Sequence, residues 1–296
     1  MVADFLGRSA LLPGNINSRV GFVLRTDVDP VDHGGNTVKD NRLARLFDDA
    51  MNVLHEYEPP EGYYVAFSGG KDSIVMLDLV RRSGVKHDAH MNITSVDPPE
   101  LLTYVKEYYP DVERHRPELT MFQLIEKWCF LPTAKARFCC AVLKERGGSG
   151  RLVVTGIRKA ESARRNKRTM FEISKTDKSK KMIHIIIDWK DKDIWQYIRT
   201  LGIPYCSLYD EGFKRIGCIG CPMISTNLRH QQFQRWPTHK IAYRNTIAKA
   251  LANKSSKHFG NDADLYLEWW LSNMSVKAFL GMKEQRDFLI EGEESQ

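Results

Sequence analysis

Three observations predict an α/β fold, a parallel twisted sheet with helices on both faces, followed by a C-terminal helical region. Apolar, β-prone stretches alternate with helix-like ones between residues 61 and 225, and such alternation makes parallel strands joined by crossover helices. A glycine-rich turn, Ser68-Gly69-Gly70, connects the first of those strands to a helix. After Pro222 the pattern turns helical and polar.

The elements follow in order. Residues 1–40 are rich in Gly, Pro, Asn and Asp and read as an irregular arm. Leu43, Leu46, Phe47, Met51 and Leu54 recur at helical spacing over residues 41–57, and Pro59, Pro60 and Gly62 stop that helix. Tyr63 to Phe67 is the first strand, and the apolar residues from Ile74 to Leu79 belong to the helix after it. His90 to Val96 reads as a second strand, Pro98 to Tyr109 as a helix, and Leu152 to Thr155 as a third strand. Met182 to Ile187 reads as a fourth strand and Lys192 to Leu201 as a helix. Gln231 to Trp236, Ile241 to Leu251 and Leu265 to Phe279 complete the helical end. The expected organisation is an arm and helix over 1–60, a nucleotide-binding domain with a cysteine cluster over 61–225, and a helical region over 226–296.

The stretch AFSGGKDSIVML, residues 66–77, carries the strongest chemical signal. A strand that enters a helix through glycines leaves backbone N–H groups pointing out of the helix N-terminus, where the dipole also favours an anion. Lys71 adds a cation, and Ser68 and Ser73 add hydroxyls. The Walker A loop does not fit, because Val65 stands where its first glycine belongs and Asp72 follows the lysine. The block S-G-G-K-D-S resembles the PP-loop of the ATP pyrophosphatase and adenine nucleotide alpha-hydrolase superfamily. That resemblance implies a Rossmann-like fold, a grip on pyrophosphate and attack at the alpha-phosphate. Ser68, Gly69, Gly70, Lys71, Asp72 and Ser73 become nucleotide-binding candidates, with Lys71, Asp72 and Ser73 catalytic. Asp97 and Gly156 stand at other predicted strand ends, where such sheets bind ligands, and Asp72 or Asp97 is a candidate partner for magnesium.

No apolar run reaches the roughly 20 residues that a membrane span needs, so a cytoplasmic chain without membrane attachment is expected. The formal net charge of +7 is concentrated, since Arg158, Lys159, Arg164, Arg165, Lys167 and Arg168 face the single acid Glu161 in that stretch. Lys175, Lys178, Lys180 and Lys181 follow. A segment of this kind either attracts DNA or RNA or forms a solvated loop beside a nucleotide pocket.

Six cysteines in a cytosolic chain point to metal or redox chemistry rather than disulfides. Cys139 and Cys140 are adjacent, and Cys218-Ile219-Gly220-Cys221 is a C-x-x-C pair 77 residues later. Four thiolates in two sites suit an iron–sulfur cluster or zinc. Cys129 and Cys206 are left over, and Cys206 is either a sulfur carrier or a packed residue.

The C-C, long gap, C-x-x-C arrangement is similar to the one that holds a [4Fe-4S] cluster in adenylylsulfate reductases. The surrounding run, from Ile187-Asp188-Trp189 through Asp193-Ile194-Trp195-Gln196-Tyr197 to Leu208-Tyr209-Asp210-Glu211-Gly212-Phe213, looks like that of the phosphoadenosine phosphosulfate (PAPS) reductase family. Gly156-Ile157-Arg158-Lys159-Ala160-Glu161-Ser162-Ala163-Arg164 resembles the same family's G-h-R-x-x-[ED]-S-x-x-R motif. There Arg158 and Arg164 can fork onto phosphate or sulfate oxygens, while Glu161 orients Arg158 or accepts from a ligand.

One departure matters. Reductases of the family share a C-terminal Glu-Cys-Gly-[LI]-His tail whose thiolate attacks sulfur, yet the 75 residues after Cys221 contain no cysteine. The pattern is thus closer to the branch that includes DNA phosphorothioation ATP pyrophosphatases. What this resemblance implies is ATP and magnesium binding, adenylation of an acceptor, expected to be nucleic acid, and sulfur from a cysteine desulfurase or another thiol donor. The alternatives are a sulfonucleotide reductase using an external thiol or Cys206, and a non-catalytic iron–sulfur nucleotide sensor.

Overall fold

The computed structural model describes residues 42–294, with side chains to residue 286; the predicted arm over 1–40 lies outside the described residues. Helix α1 (Arg42–Glu56) precedes strand β1 (Tyr63–Phe67), whose residues are almost all buried. Helix α2 (Lys71–Ser83) follows the glycine turn, and Gly84 ends it in the left-handed conformation. Strand β2 (His87–Asn92), helix α3 (Pro99–Tyr108), strand β3 (Glu113–His115) and helix α4 (Met121–Trp128) come next. After a short π-helical turn over Cys140–Lys144 come β4 (Leu152–Thr155), β5 (Phe171–Ile173), β6 (Lys181–Ile183) and helix α5 (Asp191–Leu201). Four helices complete the described chain, α6 (Thr226–Arg235), α7 (Pro237–Asn253), α8 (Ala263–Ser272) and α9 (Val276–Glu294).

The sheet has the order β3-β2-β1-β4-β6-β5, parallel except for the edge strand β5. From β1 the chain first builds outward through β2 and β3, then returns to place β4 on the other side of β1. That reversal makes the β1/β4 boundary a topological switch point, and the carboxyl ends of these strands open the crevice there. The loops 68–70 and 156–158 leave β1 and β4 at this place.

Several boundaries differ from the sequence reading. The second strand begins at His87 and stops at Asn92, because the chain then turns through Ser95 at φ 63°. The buried residues beyond it are covered by another loop, with Ile219 N–H donating to the Val96 carbonyl at 2.8 Å. The fourth strand is only Lys181–Ile183. Ile185, Ile186 and Ile187 are buried as strand residues would be, but the Ile187 carbonyl accepts from Lys159 N–H at 2.8 Å instead of continuing a ladder. The predicted helix from Leu265 to Phe279 is two helices, parted at Asn273 in the left-handed conformation. Strand β3 and helix α4 were not anticipated, although Thr120 and Gln123 form a capping box at the start of α4.

Candidate functional site

The glycine turn is shaped by what presses on it. Gly69 has φ 71°, and a Cβ there would come within 2.7 Å of Leu101 and 2.8 Å of Val105 on α3. Gly156 packs closely from the end of β4, because its Cβ would lie 3.2 Å from backbone atoms of Asp72 and Ser73. Both glycines therefore let neighbouring elements close directly onto the first turn of α2. Ser73 ties the turn, accepting from Ser68 N–H at 3.2 Å and from Ser68 Oγ at 3.1 Å while donating to the Gly70 carbonyl at 2.9 Å.

A charged network lies over this turn. Lys71 is buried, with Nζ 3.1 Å from Asp191 Oδ1 and 3.6 Å from Asp72 Oδ2. Arg158 is also buried, and its guanidinium donates to Asp72 Oδ1 (2.8 Å), Asp191 Oδ1 (3.1 Å) and the Trp189 carbonyl (3.2 Å). Burial raises the Asp72 carboxyl above its ordinary range, with Lys71 and Arg158 opposing the rise. Tyr209 stands at the helix N-terminus and accepts the Lys71 backbone N–H at 2.8 Å. Its own hydroxyl is pushed up by burial.

Arg158 therefore does not present its fork to the crevice as the sequence reading expected; it clamps Asp72 and Asp191. Glu161 accepts Arg158 backbone N–H at 3.1 Å and forms an ion pair with Arg165. Arg164 is exposed and has no ion pair among the described residues. Asp191 and Tyr209 were missed as site residues, although both fall within the quoted run from Ile187 to Phe213. The rest of that run is largely structural. Asp193 accepts from Lys190 N–H and Arg42, Trp195 packs edge-on against Tyr205 and Tyr209, and Tyr197 donates to Asp78.

Asp97 is not in this network. Its buried carboxylate accepts Thr94 N–H at 2.6 Å and faces the cysteine centre, where it acts on Lys144 and Cys218. That location corrects its expected role beside magnesium. Cys206 is 1% exposed and its thiol is pushed up by burial, so it is a packed residue and a poor nucleophile in this arrangement.

The other four predicted cysteines lie in one electrostatically linked neighbourhood. The adjacent Cys139 and Cys140 thiols act on each other, which raises Cys139 and lowers Cys140 to about 6, with Lys144 and Arg137 also lowering Cys140. Cys218 and Cys221 act electrostatically on Cys139 and on Lys144, whose ammonium is raised chiefly by Cys218. The helical end covers this centre. Gly220 has φ 74°, and a Cβ there would meet Phe233, Tyr243 and Trp270 at 2.7, 3.1 and 3.2 Å. Among the described residues, no three cysteine sulfurs lie within 4.8 Å of one another. The segment from Tyr209 to Cys218 joins the two places, since the Lys214 carbonyl lies 3.5 Å from Lys71 Nζ.

Residues 62–224 match the phosphoadenosine phosphosulfate reductase domain. The chain belongs to that family. Within the PAPS reductase family, adenosine 5'-phosphosulfate reductase of Staphylococcus epidermidis is 31% identical over 186 residues, covering 58% of this chain and 74% of its own length. The enzyme of the same name from Lysinibacillus sphaericus is 30% identical over 215 residues, 66% of this chain and 89% of its own. Among solved structures, phosphoadenylyl-sulfate reductase from Candida auris aligns with a TM-score of 0.45 at 18% identity, covering 62% of this chain and 98% of its own. No helix of the described residues is long and apolar enough to cross a membrane.

Proposed function

We propose that this PAPS reductase family member binds an adenine nucleotide on the 68–73 loop and acts as a sulfonucleotide reductase on adenylyl sulfate with an external thiol. The observation that carries the reading is the anion seat, formed by the α2 N-terminus, Lys71 and two closely packed glycines at the β1/β4 switch point. The names of the relatives support the substrate class. The external thiolate attacks sulfur, an S–S bond forms, the S–O bond to the phosphate breaks and AMP leaves. A second thiol then releases sulfite and forms a disulfide. Lys71 and the loop amides stabilise the charge that develops on the leaving phosphate. The buried Cys206 thiol is not the attacking group in this scheme.

Cys139, Cys140, Cys218 and Cys221 would hold a [4Fe-4S] cluster. Four thiols from two segments suit such a cluster, with a tetrahedral zinc as the alternative. When bound, the cluster supplies an anionic, redox-capable centre. The chain itself contributes Lys144 as a countercharge and the aromatic wall against Gly220.

A second reading is favoured by the burial of Cys206. In it, ATP and magnesium replace the sulfonucleotide, an acceptor on nucleic acid is adenylated, and a cysteine desulfurase supplies sulfur. Anaerobic incubation with labelled adenylyl sulfate and a dithiol distinguishes them. The reductase yields sulfite and AMP in equal amounts, with or without Cys206→Ser. AMP and pyrophosphate from ATP, with no sulfite from adenylyl sulfate, would establish the second reading.

A further inference from the structure

A second constellation lies on β2 and β3, away from the charged network over the glycine turn. His90 Nδ1 and His115 Nε2 face each other at 2.8 Å. Glu113 Oε2 is 3.4 Å from His90 Nδ1, and Glu113 Oε1 is 3.6 Å from His115 Nδ1. The parallel register that pairs His90 with Glu113 and Asn92 with His115 brings these three side chains together. One ligand atom from each lies within 4.8 Å of the other two.

The surroundings of His90 specify which nitrogen is available. Its Nε2 contacts Asp88 Oδ2. An ionised carboxylate only accepts, so Nε2 carries the hydrogen and the neutral ring keeps its lone pair on Nδ1. Asp88 is fixed in turn by Arg151 Nη2 at 2.5 Å, and the Tyr64 ring stacks on His90 at 4.1 Å with an interplanar angle of 7°. A carboxylate holding the far nitrogen of an imidazole, so that the near one faces a shared point, is the outer support found around metal-bound histidines.

We propose that His90, Glu113 and His115 bind a divalent transition-metal ion, zinc above all, which fastens the edge strand β3 to β2. Two imidazoles and a carboxylate are a donor set that zinc accepts, with metal–nitrogen distances of about 2.0–2.1 Å. A tetrahedral ion places two such nitrogens about 3.3 Å apart, so the observed 2.8 Å pair opens by a small rotation of the more exposed His115 ring. Glu113 is 65% exposed, leaving a fourth position to solvent. The proposal is independent of the nucleotide chemistry and of the cysteine centre.

The test uses the full chain, purified anaerobically and titrated with zinc by calorimetry, with zinc-edge absorption fine structure to identify the bound neighbours. The expected result is one zinc with nitrogen and oxygen neighbours, retained in Cys139→Ser, lost in His115→Gln, and bound about 10–100-fold more weakly in Asp88→Asn. If His115→Gln does not fold, Glu113→Gln on the exposed strand edge takes its place, with melting curves as the fold check. Affinity unchanged in the histidine or glutamate variant, or sulfur neighbours alone, would overturn the site.

Discussion

Asp191 Oδ1 lies 3.1 Å from both Lys71 Nζ and Arg158 Nη2, so one carboxylate oxygen joins the two buried cations of the crevice. Asp191 is itself 62% exposed, at the start of α5, while both cations are nearly closed off from solvent. On the proposed function, a phosphate or sulfate entering the glycine turn would compete with Asp191 for Lys71. Arg158 keeps Asp72 in place meanwhile, because its Nε contact at 2.8 Å does not depend on Asp191. The proposed function thus divides the two cations, Lys71 toward the ligand and Arg158 toward the fold.

Arg158→Met should therefore show mainly as reduced stability. It removes three hydrogen bonds and leaves Asp72 with Lys71 as its remaining ion-pair partner. Breaking a buried pair from one side costs about 3–5 kcal/mol, and the surviving Lys71 contact places this variant toward the lower figure. Urea unfolding of parent and variant measures the difference. A midpoint unchanged at constant slope would remove Arg158 from its structural role.

Lys71→Ala should leave the fold standing and suppress turnover by roughly 10²–10³, the usual cost of removing one oxyanion donor. Ser73→Ala should also loosen the turn, since Ser73 Oγ has three hydrogen-bond partners within it. Product formation from adenylyl sulfate and from ATP is the measurement, with a melting curve on each variant. Parent-like turnover by Lys71→Ala would take this loop out of the chemistry.

His184 gives the stability a pH signature. It is fully buried, its Nδ1 is 2.6 Å from Thr155 Oγ1, and its Nε2 has no hydrogen-bond partner among the described residues. Burial lowers its pKa from 6.5 to about 4. The unfolded chain therefore binds a proton between those values while the folded chain does not, and stability falls as pH drops through that window. The slope from this one group is at most about 1.4 kcal/mol per pH unit. His184→Gln cannot titrate, so unfolding midpoints at several pH values between 4 and 6.5 should fall less steeply for the variant. Parallel profiles would assign the acid sensitivity elsewhere.

Much of the nucleotide crevice is legible in the sequence because a strand, two glycines and a lysine form a local, contiguous signal. The strand ends at Phe67 and Thr155 agree between sequence and structure, since buried parallel strands appear as apolar runs. What escapes reading depends on distant residues. His87 to His90 look too polar for strand, yet their polar side chains find partners in the Val85 carbonyl, Arg151, Glu113 and His115. Arg158 looks like a ligand fork because Asp191, 33 residues later, cannot be placed beside it from sequence. Asp97 points to the crevice by its strand-end position, but its own loop turns it toward Cys218.

Gly220→Ala tests the cysteine centre from its outer side. The substitution places a Cβ at a left-handed residue and 2.7 Å from Phe233, which destabilises by more than the ~1 kcal/mol that the same change can gain at a compatible site. Anaerobically purified parent should be brown, Cys139→Ser and Cys221→Ser should bleach it, and Gly220→Ala should hold less iron per chain. Colourless anaerobic parent with one zinc on sulfur would replace the cluster reading.

The basic segment separates the two functional readings, and the structure sharpens which residues to change. Lys159 pairs with Asp188, Arg165 with Glu161 and Arg168 with Glu172, while Lys180 is buried and donates to the Glu145 carbonyl. Lys167, Lys175, Lys178 and Lys181 are exposed and have no ion pair among the described residues. These four are the side chains able to meet a polynucleotide without first breaking an internal ion pair, and Arg164 is left unchanged as a candidate nucleotide ligand. Changing all four to Gln should lower the slope of log affinity against log salt by about 0.9 for each duplex phosphate that the variant no longer neutralises. Nucleotide turnover at the Lys71 turn should persist, because none of the four belongs to the Lys71–Asp72–Arg158–Asp191 network. The sulfonucleotide reading expects little polynucleotide binding by the parent and unchanged sulfite release by the variant. Salt-dependent binding by the parent that collapses in the variant, accompanied by pyrophosphate rather than sulfite, would decide for adenylation of nucleic acid.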